Sequence, residues 1–399
     1  MSARLTSGQN PLRILIILNL YWDSRLGAAR VYMELAEQWR ASGHAVEHFS
    51  LSDAFPKARG SRAGFAVRQV LFAYKAAAFV KKNAARFDII DAVIGSLPAS
   101  KKKLGYNGLL VARSLGLYRL YDRFERNAHK RWPGRPRGKF FGRILYRLIR
   151  NWLMCAADDA VRHADLINVP NEDEASSLRK EVDSGRPIIV QSYGLTVERR
   201  QALLQAAAPA EIRLARKRVS FVGMWAARKG SHDWATIMRE IWQKIPEAQF
   251  CFLGTMVDTN TILSDLRVGP SKQIELVSNY SPADLPALLA DCAVGAFPSY
   301  VEGFGLAVLE QLAAGIPTVA FDVAGPRDIL GAGLPDLLVP SGDLETFVNA
   351  ICKILQLDLP AYQKLFERSA DVATQFCWER IAEETLSVYC SAPRTGLIA

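Results

Sequence analysis

The stretch from Cys292 to Ile316 constrains the chain most. Cys292 to Phe297 is an apolar run ending at Pro298, and a glycine-rich turn follows, Glu302-Gly303-Phe304-Gly305. Leu306, Ala307, Leu309, Leu312 and Ala313 then recur at the spacing of one helix face. A strand, a glycine turn and a helix start present backbone N–H groups and a partial positive charge to a phosphate. Glycine lets the backbone approach such a ligand closely. Two carboxylates flank the helix start: Glu302 in the turn, and Glu310 about one and a half turns into the helix. N–H groups suit phosphate oxygens and acids suit hydroxyls, so the stretch fits a ligand carrying both. The plainer reading is a buried helix behind an acidic turn.

The same residues resemble a known family. Glu302 and Glu310, with Gly-Phe-Gly-Leu between them and Ala-Ala-Gly-Ile-Pro after, are similar to the E-x7-E motif of retaining GT-B glycosyltransferases of family 4. The segment Phe321 to Asp328 resembles that family's next strand and glycine loop. The resemblance implies an α/β chain of two Rossmann-like, doubly wound domains. An interdomain cleft lies between them, and a C-terminal helix crosses back to the first. It also implies that Glu310 binds ribose hydroxyls and Glu302 contacts the donor sugar. Gly303, Phe304, Gly305 and Leu306 would then meet the donor through backbone N–H groups.

At 399 residues the chain is long for one domain, and half of it is hydrophobic. Apolar runs such as Ile14 to Leu18 are far short of a membrane span. Met1 to Asn10 is polar, with no apolar leader core. Six scattered cysteines form no pairing pattern, so reduced thiols in the cytoplasm are expected. Five histidines form no H-x-H or H-E-x-x-H, and no D-x-D occurs, so neither a metal site nor a cofactor is expected. Charge is uneven. Residues 1–200 carry 34 Lys and Arg against 18 Asp and Glu, whereas residues 201–399 carry 16 against 22. The two halves therefore face different partners.

Leu12 to Leu18 reads as a buried strand, Gly27 to Ser42 as a helix and Ala45 to Ser50 as a second strand, the start of a doubly wound sheet. In the resembling family this first loop carries a Gly-Gly pair near donor phosphates and acceptor; here it reads Gly27-Ala28. After the strand Leu109 to Ala112, Leu115 stands where the family usually has a histidine approaching the donor sugar. Residues 113–150 hold twelve Lys and Arg against Asp122 and Glu125 alone, interleaved with Trp132, Phe140, Phe141 and other apolar residues. Such a segment suits an anionic bilayer surface or a polyphosphate. A solvated basic face is the plainer reading. No RNA-recognition or helix-turn-helix signature supports a nucleic-acid partner. An alanine-rich, charged stretch around 195–215 reads as surface structure or a linker.

The second half opens with the strand Val219 to Gly223 and the loop Met224 to Gly230. The family commonly places an Arg after the first glycine and a Lys before the last, both on the nucleotide diphosphate. Lys229 matches; Met224 takes the Arg place, and Arg228 is a neighbouring replacement. Gly223 joins the donor-binding set. Ser278 and Tyr280 follow a strand near which the family binds the base. Domains are expected at 1–205 on the acceptor side, at 206–380 for the nucleotide-sugar, and at 381–399 as a returning helix and tail. The resulting expectation is a metal-independent, retaining glycosyltransferase with Glu302, Lys229 and Arg228 as its catalytic groups. It would act on a saccharide or lipid-linked acceptor at the inner face of the cell membrane, in cell-surface glycan synthesis. The alternatives are a soluble enzyme acting on a small-molecule or protein acceptor, and a non-catalytic sugar-binding relative. A sugar epimerase would need cleft acids and histidines that the sequence does not offer.

Overall fold

The computed structural model describes residues 10–56, 62–132, 140–182 and 184–393. Its strands form two all-parallel, six-stranded sheets. The first holds β1 (Arg13–Leu18), β2 (Ala45–Ser50), β3 (Ile89–Val93), β4 (Leu109–Arg113), β5 (Leu166–Val169) and β6 (Ile188–Val190), in the order β2-β1-β3-β4-β5-β6. The second holds β7 (Arg218–Val222), β8 (Gln249–Leu253), β9 (Ile274–Val277), β10 (Cys292–Phe297), β11 (Thr318–Phe321) and β12 (Leu338–Val339), in the order β12-β11-β10-β7-β8-β9. Strands of a parallel sheet are covered on both faces, which is why they read as unbroken apolar runs. Ile14 to Leu18 and all of β10 are buried accordingly.

The chain divides into two compact units. One comprises residues 1–119, 134–192 and 378–399; the other comprises 120–133 and 193–377. The final helix, Trp378–Ser391, thus belongs with the first sheet. Trp39 donates its indole N–H to the Ala382 carbonyl at 3.2 Å. Tyr389 donates its hydroxyl to Asp91 at 2.7 Å, and the Arg113 guanidinium donates to both Tyr389 and Asp91. These groups are all buried, so each needs the partners it has.

Of the two readings of the stretch around 195–215, surface structure and a linker, the structure shows the first: it forms the helices Val197–Gln205 and Ala210–Arg216, with Leu203 and Arg213 fully buried in the second unit. The basic segment is largely helical, Tyr118–Arg131 and Phe140–His163. Residues 133–139 and the side chains of 140–146 lie outside the described residues. So, therefore, do Arg135, Arg137, Lys139, Phe140, Phe141 and Arg143.

Candidate active site

The strand order of the second sheet reverses between β7 and β10, which are paired neighbours. Ligands of open α/β sheets bind beyond the carboxyl ends of the strands at such a switch point. The two loops leaving these strands carry most of the expected donor-site residues: 223–230 after β7 and 298–305 after β10.

Lys229 and Glu302 meet there, with Nζ 2.5 Å from Oε1 and both side chains almost wholly buried. Arg228 approaches the same carboxylate oxygen at 3.6 Å. Burial pushes the Lys229 ammonium below its usual range, and the Glu302 charge opposes that shift. The Lys229 ammonium also lies 4.5 Å from the centre of the Phe297 ring, and its stem passes over Gly223. Gly230 lets the turn close: at φ +79, a Cβ there would sit 2.5 Å from the Pro298 carbonyl oxygen. The two loops are therefore in backbone contact. Tyr300 reinforces this, its N–H donating to the Arg228 carbonyl at 2.8 Å and its hydroxyl to Asp233 at 2.7 Å. Met224, where the family has Arg, is 42% exposed, and its sulfur accepts from Arg228 at 3.5 Å. The Arg228 guanidinium thus lies beside the Met224 side chain.

Beyond Glu302 the chain turns through Gly305 (φ +89) into the helix Leu306–Ala313, which has no side-chain cap. Gly325 (φ +83) presses on this turn, with a built Cβ only 2.2 Å from the Phe304 carbonyl oxygen. The Phe304 ring is buried between Tyr193 and Phe376, 5.4 and 5.8 Å away. Its side chain anchors the turn, which leaves only its backbone for a ligand. Glu310 is buried on the same helix and pairs with Arg199 at 2.9 Å. Tyr280 lies against Gly254 at the end of β8.

Several contributors were not legible as site residues. Arg199 sits 111 positions from Glu310, on the helix Val197–Gln205, in the stretch read as surface structure or a linker. Residues 120–133 of the basic segment join the second unit through aromatic and cationic contacts. The Trp132 ring is 5.1 Å from His232 and 5.4 Å from Tyr300, and Arg228 lies 5.4 Å from the centre of Tyr121. The interleaving of aromatic and basic residues did not show that this stretch packs on the second unit. Gly27 and Ala28 lie in the first unit, at the start of the helix Gly27–Ala41, and a Cβ on Gly27 would meet nothing within 4 Å. Leu115 also lies in the first unit, in the turn after β4. Its neighbours are held by Glu174, which accepts from the Ser114 hydroxyl and from the Leu117 N–H at 3.2 Å. Among the described residues no group of three or more His, Cys, Asp and Glu could hold a metal ion.

Two Rossmann-like domains with parallel six-stranded sheets define the GT-B class of fold. Solved structures agree. Sucrose-phosphate synthase from Thermosynechococcus elongatus superposes with a TM-score of 0.69 at 19% identity, covering 95% of this chain and 98% of that one. The catalytic domain of starch synthase IV from Arabidopsis thaliana gives 0.69 at 14% identity, covering 96% and 99%. Within that class, residues 216–357, which lie in the second unit, match the family described as Glycosyl transferases group 1. The D-inositol 3-phosphate glycosyltransferase of Corynebacterium urealyticum is 26% identical over 247 residues, 58% of each chain. The 2-deoxystreptamine N-acetyl-D-glucosaminyltransferase of Niallia circulans is 25% identical over 179 residues, 45% of this chain and 46% of its own. The match thus spans 58% or less of the length of these two relatives.

Proposed function

We propose that the chain is a retaining, metal-independent glycosyltransferase that moves a sugar from a nucleotide-sugar to a saccharide or lipid-linked acceptor. The observation that carries this reading is the buried Lys229–Glu302 pair with the half-buried Arg228 beside it at the switch point, next to the uncapped start of the helix Leu306–Ala313. Its two cations and N–H groups suit a diphosphate whose charge grows as the glycosidic bond breaks. Glu302, beside them, suits a sugar that becomes cationic in the same step. Glu310, held by Arg199, suits ribose hydroxyls. The bond from C1 to the phosphate oxygen breaks, and the bond from C1 to the acceptor oxygen forms on the same face. The departing phosphate takes the acceptor proton, so no protein base is needed. Relatives named as glycosyltransferases support this reading.

The acceptor is placed at the inner face of the cell membrane, in cell-surface glycan synthesis. No helix among the described residues is long and apolar enough to cross a membrane, so attachment would be peripheral. A thermal-shift screen of UDP-, GDP-, ADP- and dTDP-sugars tests the donor site. A ligand at about 100 times its dissociation constant stabilises by roughly 2.7 kcal/mol. No shift with any of the four, together with no transfer, would refute the reading. A shift without turnover would favour a sugar-binding relative.

A further inference from the structure

The helix Arg62–Asn83 is apolar on nearly every side, a pattern expected of a buried helix. Yet one stripe of it faces solvent: Val67 at 40%, Leu71 at 46% and Tyr74 at 64% exposure, followed by Ala78. These residues fall at i, i+4, i+7 and i+11, a single helix face. The helix Phe140–His163 extends the surface. Its Trp152 ring lies 6.1 Å from Tyr74, and its Leu148 is 61% exposed. Four of the large apolar side chains exposed on the described surface are gathered on this pair of helices. A contiguous exposed apolar patch marks an interaction surface.

Charge identifies the occupant. Residues 62–83 contain five Lys and Arg and no acid, and residues 140–157 contain three and no acid. Lys81 and Lys82 prolong the apolar stripe by the next helical steps, and Arg147 flanks Leu148; all three are exposed. A second copy on the same face would set these cations against one another. Tyr and Trp beside aliphatic residues, with Lys and Arg around them, suit the headgroup layer of a bilayer. We infer that this two-helix face of the first unit docks onto an anionic lipid surface, with Leu71, Tyr74 and Leu148 entering the headgroup layer and Lys81, Lys82 and Arg147 meeting lipid phosphates. The inference rests on the peripheral-membrane part of the proposed function and assigns it to faces of the helices Arg62–Asn83 and Phe140–His163, the second of which lies partly in the basic segment.

Co-sedimentation of the full chain with vesicles tests it. Vesicles of equal parts phosphatidylglycerol and phosphatidylcholine should pellet the protein at low salt, phosphatidylcholine alone should not, and added salt should release it. The pair Leu71→Asp and Leu148→Asp should lower partitioning roughly a hundredfold. Lys81→Glu with Lys82→Glu should lower it roughly tenfold. Both pairs lie on the surface, and circular dichroism should be unchanged. Failure to pellet with anionic vesicles, or equal pelleting of all variants, overturns the proposal. A dimer that the Asp pair abolishes would make a second copy the occupant and overturn it too. Donor thermal shifts on the same samples separate the two readings. Lost pelleting with donor shifts intact leaves the transferase reading standing, whereas pelleting without donor shifts refutes only that reading.

Discussion

Glu174 offers the sharpest test of the first unit. It sits in the first turn of the helix Glu172–Glu181, where Asn171 caps its N–H at 2.8 Å, and it is fully buried beneath the Ser114–Leu117 turn. Burial pushes its carboxyl up from 4.5 to about 7, while hydrogen bonds from Ser114 and Leu117 oppose the shift. The unfolded chain therefore releases this proton near pH 4.5 and the folded chain only near 7. The associated stability is complete below about pH 4.5, declines as pH rises through that window, and is gone above about 7. A shift of about 2.5 units corresponds to about 3 kcal/mol. Glu174→Gln keeps a carbonyl for the Leu117 N–H and removes the titration. Urea unfolding of both proteins at pH 5 and pH 8, followed by circular dichroism, measures the change. The wild type should lose about 2.5 kcal/mol more than the variant between the two pH values, because part of the effect is already lost at pH 5. Comparing the proteins cancels other titrations, such as those of His44 and His48, which burial lowers. Equal losses in both proteins would show that Glu174 ionises at its ordinary value and would refute the burial argument.

Arg199→Ala should destabilise the second unit by about 3 kcal/mol in urea unfolding, because it removes the cation paired with the buried Glu310 carboxylate. Arg199→Ala with Glu310→Gln should recover part of that loss, and no recovery would break the coupling. In donor-binding calorimetry Lys229→Ala should cost more than Arg228→Ala, and the double variant should lose less than the sum. Strict additivity would separate the two cations. Glu302→Gln should lower turnover far more than donor affinity, and equal losses in steady-state kinetics would make Glu302 a simple binding group. Gly325→Ala forces a Cβ against the Phe304 backbone at positive φ and should cost about 2 kcal/mol or more in thermal unfolding, together with donor affinity. Wild-type behaviour would mean that the two glycine loops are not locked together.

The strands were legible because parallel strands buried on both faces must be continuous apolar runs. Cys292 to Phe297 matched its observed limits residue for residue. The glycine turn at 302–305 was legible because a left-handed turn before a helix favours glycine, and Gly305 has φ +89. Lys229, Arg228 and Glu302 lie on two loops separated by three strands of sequence, and their convergence depended on the order β10-β7, which sequence spacing does not encode. The resemblance anticipated these residues as a set but not the direct Lys229–Glu302 ion pair. Arg199, Glu174 and residues 120–133 carried no local signal. Arg199 looked like an ordinary charge in surface structure or a linker, and only the fold brings it to Glu310. Glu174 is one of three acids in the first turn of its helix; burial under a turn nearly sixty residues earlier in the chain, between Ser114 and Leu117, raises its carboxyl. Local periodicity and glycine placement follow from the backbone's own preferences, and so they are written in the sequence. Ion pairing and pKa depend on which distant charges share a low-dielectric site, and only the tertiary structure decides that.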